Sequence, residues 1–392
     1  MVSVVMAQRK KLRSGILTLL AAWLLLCGTP SPRVIGHGLP DRLDDRTFWS
    51  LVTDFSESGG YFRSDNLVSN ETTFQHVIPA LLQNTGPASA YVGVGPDQNF
   101  TYIVALHPRI AFIVDIRRQN LLLHLMYKAL IEMSPTRADF LARLFSRERP
   151  AEATADATAL SLFAAFERSQ PDAALFERNL REVTRRLGRQ HHFTLSGEDQ
   201  RTIDYVYRSF FSAGPEIRYS FGRGPGWLPF PSYRDLMVET DGQGAPRSYL
   251  STEQSYQALR EMQLRNLIVP LVGDFAGPKA LRAVGAYLKA RQGSVTAFYT
   301  SNVEQYLFRG DDWQHFYSNV AALPVDERST FIRSFFNNVG FRGYQFQPAP
   351  FPPMGPAPRS QTLLNSIVDL LAAYQAGRIQ SYRDVIELSH QP

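Results

Sequence analysis

The chain has 392 residues, 44% of them hydrophobic and 20% charged, enough to fill two or three domains or one α/β domain carrying a large insertion. Its 41 basic and 36 acidic residues leave a net charge of only +5 over a large surface, so no nucleic-acid footprint is indicated. The single cysteine, Cys27, lies in an N-terminal segment expected to be removed, which excludes disulfides, cysteine nucleophiles and thiolate metal sites from the processed protein.

That segment is GILTLLAAWLLLCG, residues 15–28, preceded by Arg9, Lys10, Lys11 and Arg13. A short apolar run behind a basic stretch has the layout of a secretory signal peptide and is too short for a comfortable transmembrane helix. Residues 1–38 are therefore read as a signal peptide, with an uncleaved membrane anchor as the alternative because no clean small-x-small cleavage site follows. The expectation is an exported or periplasmic protein that touches membrane only through this segment.

Residues 39–146 open with a helical lead-in. SDNLVSNETTFQHVIPALL offers Ser69 or Asn70 as N-cap and an apolar face at Phe74, Val77, Ile78, Leu81 and Leu82. AYVGVGPDQNFTYIVALHPRIAFIVDIRRQN, residues 90–120, then reads as strand, tight glycine turn, short helix and second strand ending at Asp115. LLLHLMYKALIEM and DFLARLF continue with helical spacing. Residues 147–265 change character: a charged, helix-forming half is followed by a half rich in glycine, proline and aromatics, which reads as an inserted cap. Trp227, Phe230 and Tyr233 in its glycine-rich loop either cover a ligand or anchor the loop.

A sheet pattern returns over residues 266–340. NLIVPLVGD is a strand, a helix opens at Pro278 with Leu281, Val284 and Leu288 on one face, and Gly293 precedes a second strand that runs into TSNVEQYL. Residues 341–392 are a proline-rich connector and a last helix with Leu363, Leu364, Ile367, Leu370 and Leu371. Alternating β and α segments predict an α/β fold: a Rossmann-like, mostly parallel sheet with helices on both faces and a helical, loop-rich insertion.

In such sheets ligands bind beyond the carboxyl ends of the strands. Gly93 and Gly95 permit a tight turn and close approach of a ligand to the backbone, and Asn99 is placed to cap the helix whose free N–H groups attract an anion. Asp115, twenty residues after Gly95, is placed to accept hydrogen bonds from ribose hydroxyls. The pattern resembles class I S-adenosylmethionine-dependent methyltransferases, with a GxG loop, an acidic residue ending the second strand, another after the third and a polar cluster after the fourth. Together VDIRRQN, VGDFAG and TSNVEQYL are also similar to an uncharacterised bacterial protein family.

The resemblance implies S-adenosylmethionine as cofactor, with Gly93 and Gly95 in its loop, Asp115 on the ribose, Asp274 and Phe275 beside the adenine, and Ser301 at the mouth. It implies Asn302 and Tyr306 as the residues that position a substrate of unknown identity. Three features depart from the pattern: Tyr91 stands two positions before the first glycine, Asp97 stands where the loop's third glycine belongs, and about 120 residues interrupt the fold. An exported, non-catalytic binding protein on the same fold is a second reading. A nicotinamide-dependent oxidoreductase is a third; it lacks a glycine at Gln98, and Arg117 with Arg118 hints at a 2′-phosphate. His191 and His192 lack metal-ligand spacing, so no metal is expected, and there is no GxSxG, GxxxxGK[ST] or HExxH motif.

Overall fold

The computed structural model describes residues 38–84, 89–219, 230–336 and 360–390, which belong to one compact unit. The expected signal segment, the proline-rich connector and Trp227 lie outside the described residues. Among the described residues six strands form one sheet: β1 (Ala90–Gly93), β2 (Ile110–Asp115), β3 (Ile268–Val272), β4 (Val295–Ser301), β5 (Thr330–Phe336) and β6 (Ser360–Ser366). Their order is β3-β2-β1-β4-β5-β6, parallel throughout except for β6, which pairs antiparallel with β5. This is the Rossmann-like α/β architecture. The order reverses between β1 and β4, where connections leave the sheet in opposite directions and open a crevice.

Every residue of β1, β2 and β3 is buried, which is why these segments read as continuous apolar runs rather than alternating ones. Pro270 sits inside β3 without breaking a ladder because β3 is an edge strand. Helices Asp45–Phe55, Ala280–Ala290 and Asp312–Ala321 form one packed layer; Gln98–Leu106, Arg118–Glu132 and Glu253–Leu264 form another. No helix among the described residues is long and apolar enough to cross a membrane.

Three expectations need correction. Leu363 and Leu364 are not helical: they lie in β6, and the last apolar helix begins after them at Ile367. The lead-in helix begins at Ile78, not at Ser69 or Asn70, because the polar residues ahead of it are drawn into the hydrogen-bonded cluster described below. Leu82 on that helix is exposed. Helix Glu253–Leu264, placed in the insertion by composition, packs on the two sheet-covering helices and leads directly into β3. The rest of the insertion packs on helix Arg118–Glu132 through Gly197–Ala213. It thereby buries Asn120 to Glu132 all round, including His124, Lys128 and Glu132.

Candidate functional site

A cavity of about 250 Å³ lies at the crevice between β1 and β4, far more than structural water alone requires. The ends of four parallel strands reach it: Val94 and Gly95 after β1, Asp115 ending β2 with Ile116 beyond it, Asp274 and Phe275 after β3, and Ser301 ending β4 with Asn302 beyond it. Tyr306 lines it from the next helical turn. Of the eight residues that the resemblance assigns to cofactor or substrate, only Gly93 is not among its lining. Gly93 ends β1, and a Cβ there would meet Asn99 Oδ1 at 1.9 Å, so this glycine is required by packing behind the loop. Gly95 has φ of 78° and takes the left-handed turn that glycine adopts freely.

Asn99 does not cap the helix. It lies within Gln98–Leu106, and its Nδ2 donates to the carbonyls of Val94 (2.8 Å) and Pro96 (2.7 Å), while Tyr91 donates to its Oδ1 (2.9 Å). The loop is thus fixed from behind, and Asn99 is fully buried. His124 Nε2 approaches Gly95 O at 2.8 Å, and burial pushes that imidazole down to about 4, so it stays neutral.

Asp97 is not set against a ligand either. It is absent from the cavity lining and accepts a hydrogen bond from Tyr249 (3.0 Å) among buried aromatic rings. Burial pushes its carboxyl up to about 7 from 3.8. A carboxyl raised on folding contributes stability that is fully present below its unfolded value and is lost as pH rises through about 7. Asp97→Asn keeps an acceptor for Tyr249 and removes the cost of ionisation. Relative to the parent it should gain about 2 to 3 kcal/mol more at pH 8 than at pH 5, measured by urea denaturation. An equal effect at both pH values would show that Asp97 is charged throughout.

Asp115 is less open than the sequence suggested. Its Oδ1 accepts from the Arg117 backbone N–H and Nε, both at 2.9 Å, and its Oδ2 accepts from Arg117 Nη2 at 2.8 Å. One acceptor position remains for a ligand, on Oδ2. Arg117 Nη1 donates to the carbonyls of Ser64 and Asp65, both at 2.8 Å, so the guanidinium ties the 64–66 segment to the end of β2. Arg118 is held by Asp199 through bonds of 2.6 and 2.9 Å. Neither arginine is disposed toward a 2′-phosphate.

Asp274 does not cap helix Ala280–Ala290. Its Oδ1 accepts from Ala276 N (2.9 Å), while Glu57 caps the helix through the N–H groups of Lys279 (3.0 Å) and Ala280 (2.8 Å). Phe275 contributes to the wall but stacks on Phe316 at 5.6 Å, so most of its ring belongs to the core. Ser301 holds a left-handed φ of 51° at an irregularity in β4. Asn302 Nδ2 contacts Gln305 Oε1 (3.4 Å), and Tyr306 meets the ring of Phe62 edge-on at 5.3 Å.

Several other lining residues carry no local signal in the sequence. Phe62, Asn66 and Glu71 come from the irregular segment before β1, and Tyr299 from β4. Phe230, one of the aromatic residues singled out in the sequence, lines the cavity with Tyr219, their ring centroids 5.2 Å apart, and so brings the insertion to it. Tyr233, by contrast, is a fully buried core residue. Glu304 turns away to pair with Arg333. His191 bridges Asp45 and Glu132, and no group of three or more such side chains among the described residues is arranged to hold a metal ion.

No curated protein matches the chain. Among solved structures, the rRNA methyltransferase aviRa from Streptomyces viridochromogenes aligns over 79% of this chain and 92% of its own, at 13% identity and a TM-score of 0.30. That superposition is too loose to carry fold or function from one protein to the other. Residues 66–376, which include every described strand and most of the cavity wall, match the model of a family described as a domain of unknown function, DUF7790, and the chain belongs to that family.

Proposed function

We propose that the cavity binds a nucleoside cofactor of the S-adenosylmethionine type and that the protein is methyltransferase-like. One observation carries this reading: Gly95, Asp115, Asp274 and Ser301, from four different strand ends, share one cavity at the switch point of the sheet. Gly95 admits a ligand close to the backbone, Asp115 Oδ2 retains one acceptor position for a ribose hydroxyl, and Val114, Ile116 and Phe275 supply apolar wall for a base. The bound cofactor would supply an electrophilic methyl group. The chain would hold and orient the partners, so its contribution would come chiefly from proximity, with Asn302 and Tyr306 at the substrate side.

The dinucleotide reading loses its support. Gln98, at the position of the missing glycine, is buried and bonded to Glu71 (2.8 Å), and both candidate arginines are committed to carboxylates. One observation favours a binding protein without catalysis: Arg117 occupies most of Asp115.

S-adenosylhomocysteine should raise the melting temperature of the purified protein, since a ligand of the folded state stabilises it by mass action, and NADH should not. Asp274→Ala should weaken that binding by about 1 to 3 kcal/mol, roughly 5- to 150-fold, whereas Asn302→Ala should leave it unchanged. Asp115→Ala is an unsuitable probe, because it would strand the buried Arg117 guanidinium. No shift with either compound at millimolar concentration would overturn the cofactor reading.

A further inference from the structure

Seven carboxylates are buried among the described residues: Glu71, Asp97, Asp115, Glu132, Asp199, Asp241 and Glu304. Five pair with a lysine or arginine: Asp115 with Arg117, Glu132 with Lys128, Asp199 with Arg118, Asp241 with Arg247 and Glu304 with Arg333. Asp97 lies away from the cavity, bonded to Tyr249. Glu71 is the exception that lines the cavity. It is 1% exposed, and no cationic side chain among the described residues forms an ion pair with it.

Neutral donors surround it. Tyr299 and Gln98 Nε2 each donate to Oε2 at 2.8 Å, and the Ser301 hydroxyl donates to Oε1. Gln98 stands in the first turn after the glycine loop and Ser301 at the end of β4, so Glu71 spans the switch point itself. Three donors converge on the carboxylate, an arrangement that supplies hydrogen bonds but, among the described residues, no ion pair. Ser301 holds a left-handed backbone, which non-glycine residues seldom adopt, at the position from which it makes this bond. The rings of Phe62, Tyr219, Phe230, Tyr299 and Tyr306 line the same space, and aromatic faces attract cations.

We infer that Glu71 is the counter-ion for a positively charged group of the ligand, so that the cavity selects an organic cation, a sulfonium or an alkylammonium, over a neutral or anionic analogue. This deepens the proposed cofactor reading, which rests on a sulfonium compound, but it makes a separate prediction.

The test compares ligand pairs that differ by one charge. By titration calorimetry, S-adenosylmethionine should bind the parent protein about tenfold more tightly than S-adenosylhomocysteine. In Glu71→Gln, checked for folding by circular dichroism, that ratio should fall to about two or less. If Glu71→Gln does not fold, Ser301→Ala keeps the carboxylate and should retain the preference, and the parent protein's own preference still decides. A second pair, choline and its uncharged isostere 3,3-dimethylbutan-1-ol, separates the two readings. Stabilisation by choline alone, lost in Glu71→Gln and without any response to adenosyl compounds, would sink the nucleoside reading and keep the counter-ion. Equal affinity of the parent for the members of each pair, a preference unchanged in Glu71→Gln, or no binding of either cation would overturn the inference.

Discussion

Glu304→Ala should destabilise the protein by about 3 to 5 kcal/mol, the cost of leaving a buried charge without its partner. Glu304 and Arg333 are 1% and 0% exposed on their side chains, and they meet through Arg333 Nε and through Nη2 at 3.2 Å. Tyr317 donates to the same carboxylate at 2.7 Å, and the Arg333 guanidinium lies 4.2 Å from the centre of the Phe331 ring. Without Glu304 the cation has no water to return to. Replacing both partners, Glu304→Leu with Arg333→Met, should recover most of the loss, because two apolar groups of similar volume need no partner. Urea denaturation of the two single variants and the double variant measures this. A single-variant loss below about 1 kcal/mol would show that the charge reaches solvent. The pair lies between β5 and the turn after β4, so it also fixes the segment bearing Ser301 and Asn302.

Glu132→Ala should cost a comparable about 3 to 5 kcal/mol, for the same physical reason in a different place. Glu132 accepts from Lys128, Arg186 and His191 Nε2, each at 2.7 Å, and His191 Nδ1 lies 2.9 Å from Asp45. Lys128 is 2% exposed, so it would be stranded. Burial alone would raise the Glu132 carboxyl, but the hydrogen bond from His191 and the charge of Lys128 outweigh it and hold the group at about 2 against an ordinary 4.5. A depressed carboxylate contributes stability that is present above its unfolded value and is lost as pH falls toward about 2. The contribution is about 3 kcal/mol at neutral pH, so the gap between parent and variant should narrow steadily below pH 4.5. A gap constant from pH 7 to pH 3 would show that the network is not titrating. Arg186 and His191 belong to the insertion, Asp45 and Glu132 to the sheet-covering helices. The variant should therefore also loosen the insertion, visible as faster amide exchange over residues 186–193.

Much of the fold was legible because its signals are local. Apolar runs bounded by glycine and aspartate marked β1 to β4 in their correct places, since a strand buried on both faces needs apolar residues throughout. Helical spacing likewise marked Arg118–Glu132 and Ala280–Ala290. The connector-and-helix reading of the C terminus failed at Leu363 and Leu364, because two adjacent leucines suit a buried strand and a helix equally well. The positions of Gly95, Asp115, Asp274, Ser301, Asn302 and Tyr306 followed from the sequence because a parallel sheet brings all its strand ends to one edge.

What each of those residues does there depended on partners far away in the chain. Asp115 is claimed by Arg117, which is two residues on but also reaches back to Ser64 and Asp65. The N-terminus of helix Ala280–Ala290, just after Asp274, is capped by Glu57, more than two hundred residues earlier. Asp97 turns inward to Tyr249, and Glu71 reaches the cavity only because Gln98, Tyr299 and Ser301 converge on it. Periodicity and turn chemistry are written in neighbouring residues, so the sequence by itself determined the α/β class and the edge where a ligand can lie. The pairing of buried charges is a contest among groups brought together by folding, so only the tertiary structure decided which buried carboxylates hold an ion pair and which one lines the cavity without one among the described residues.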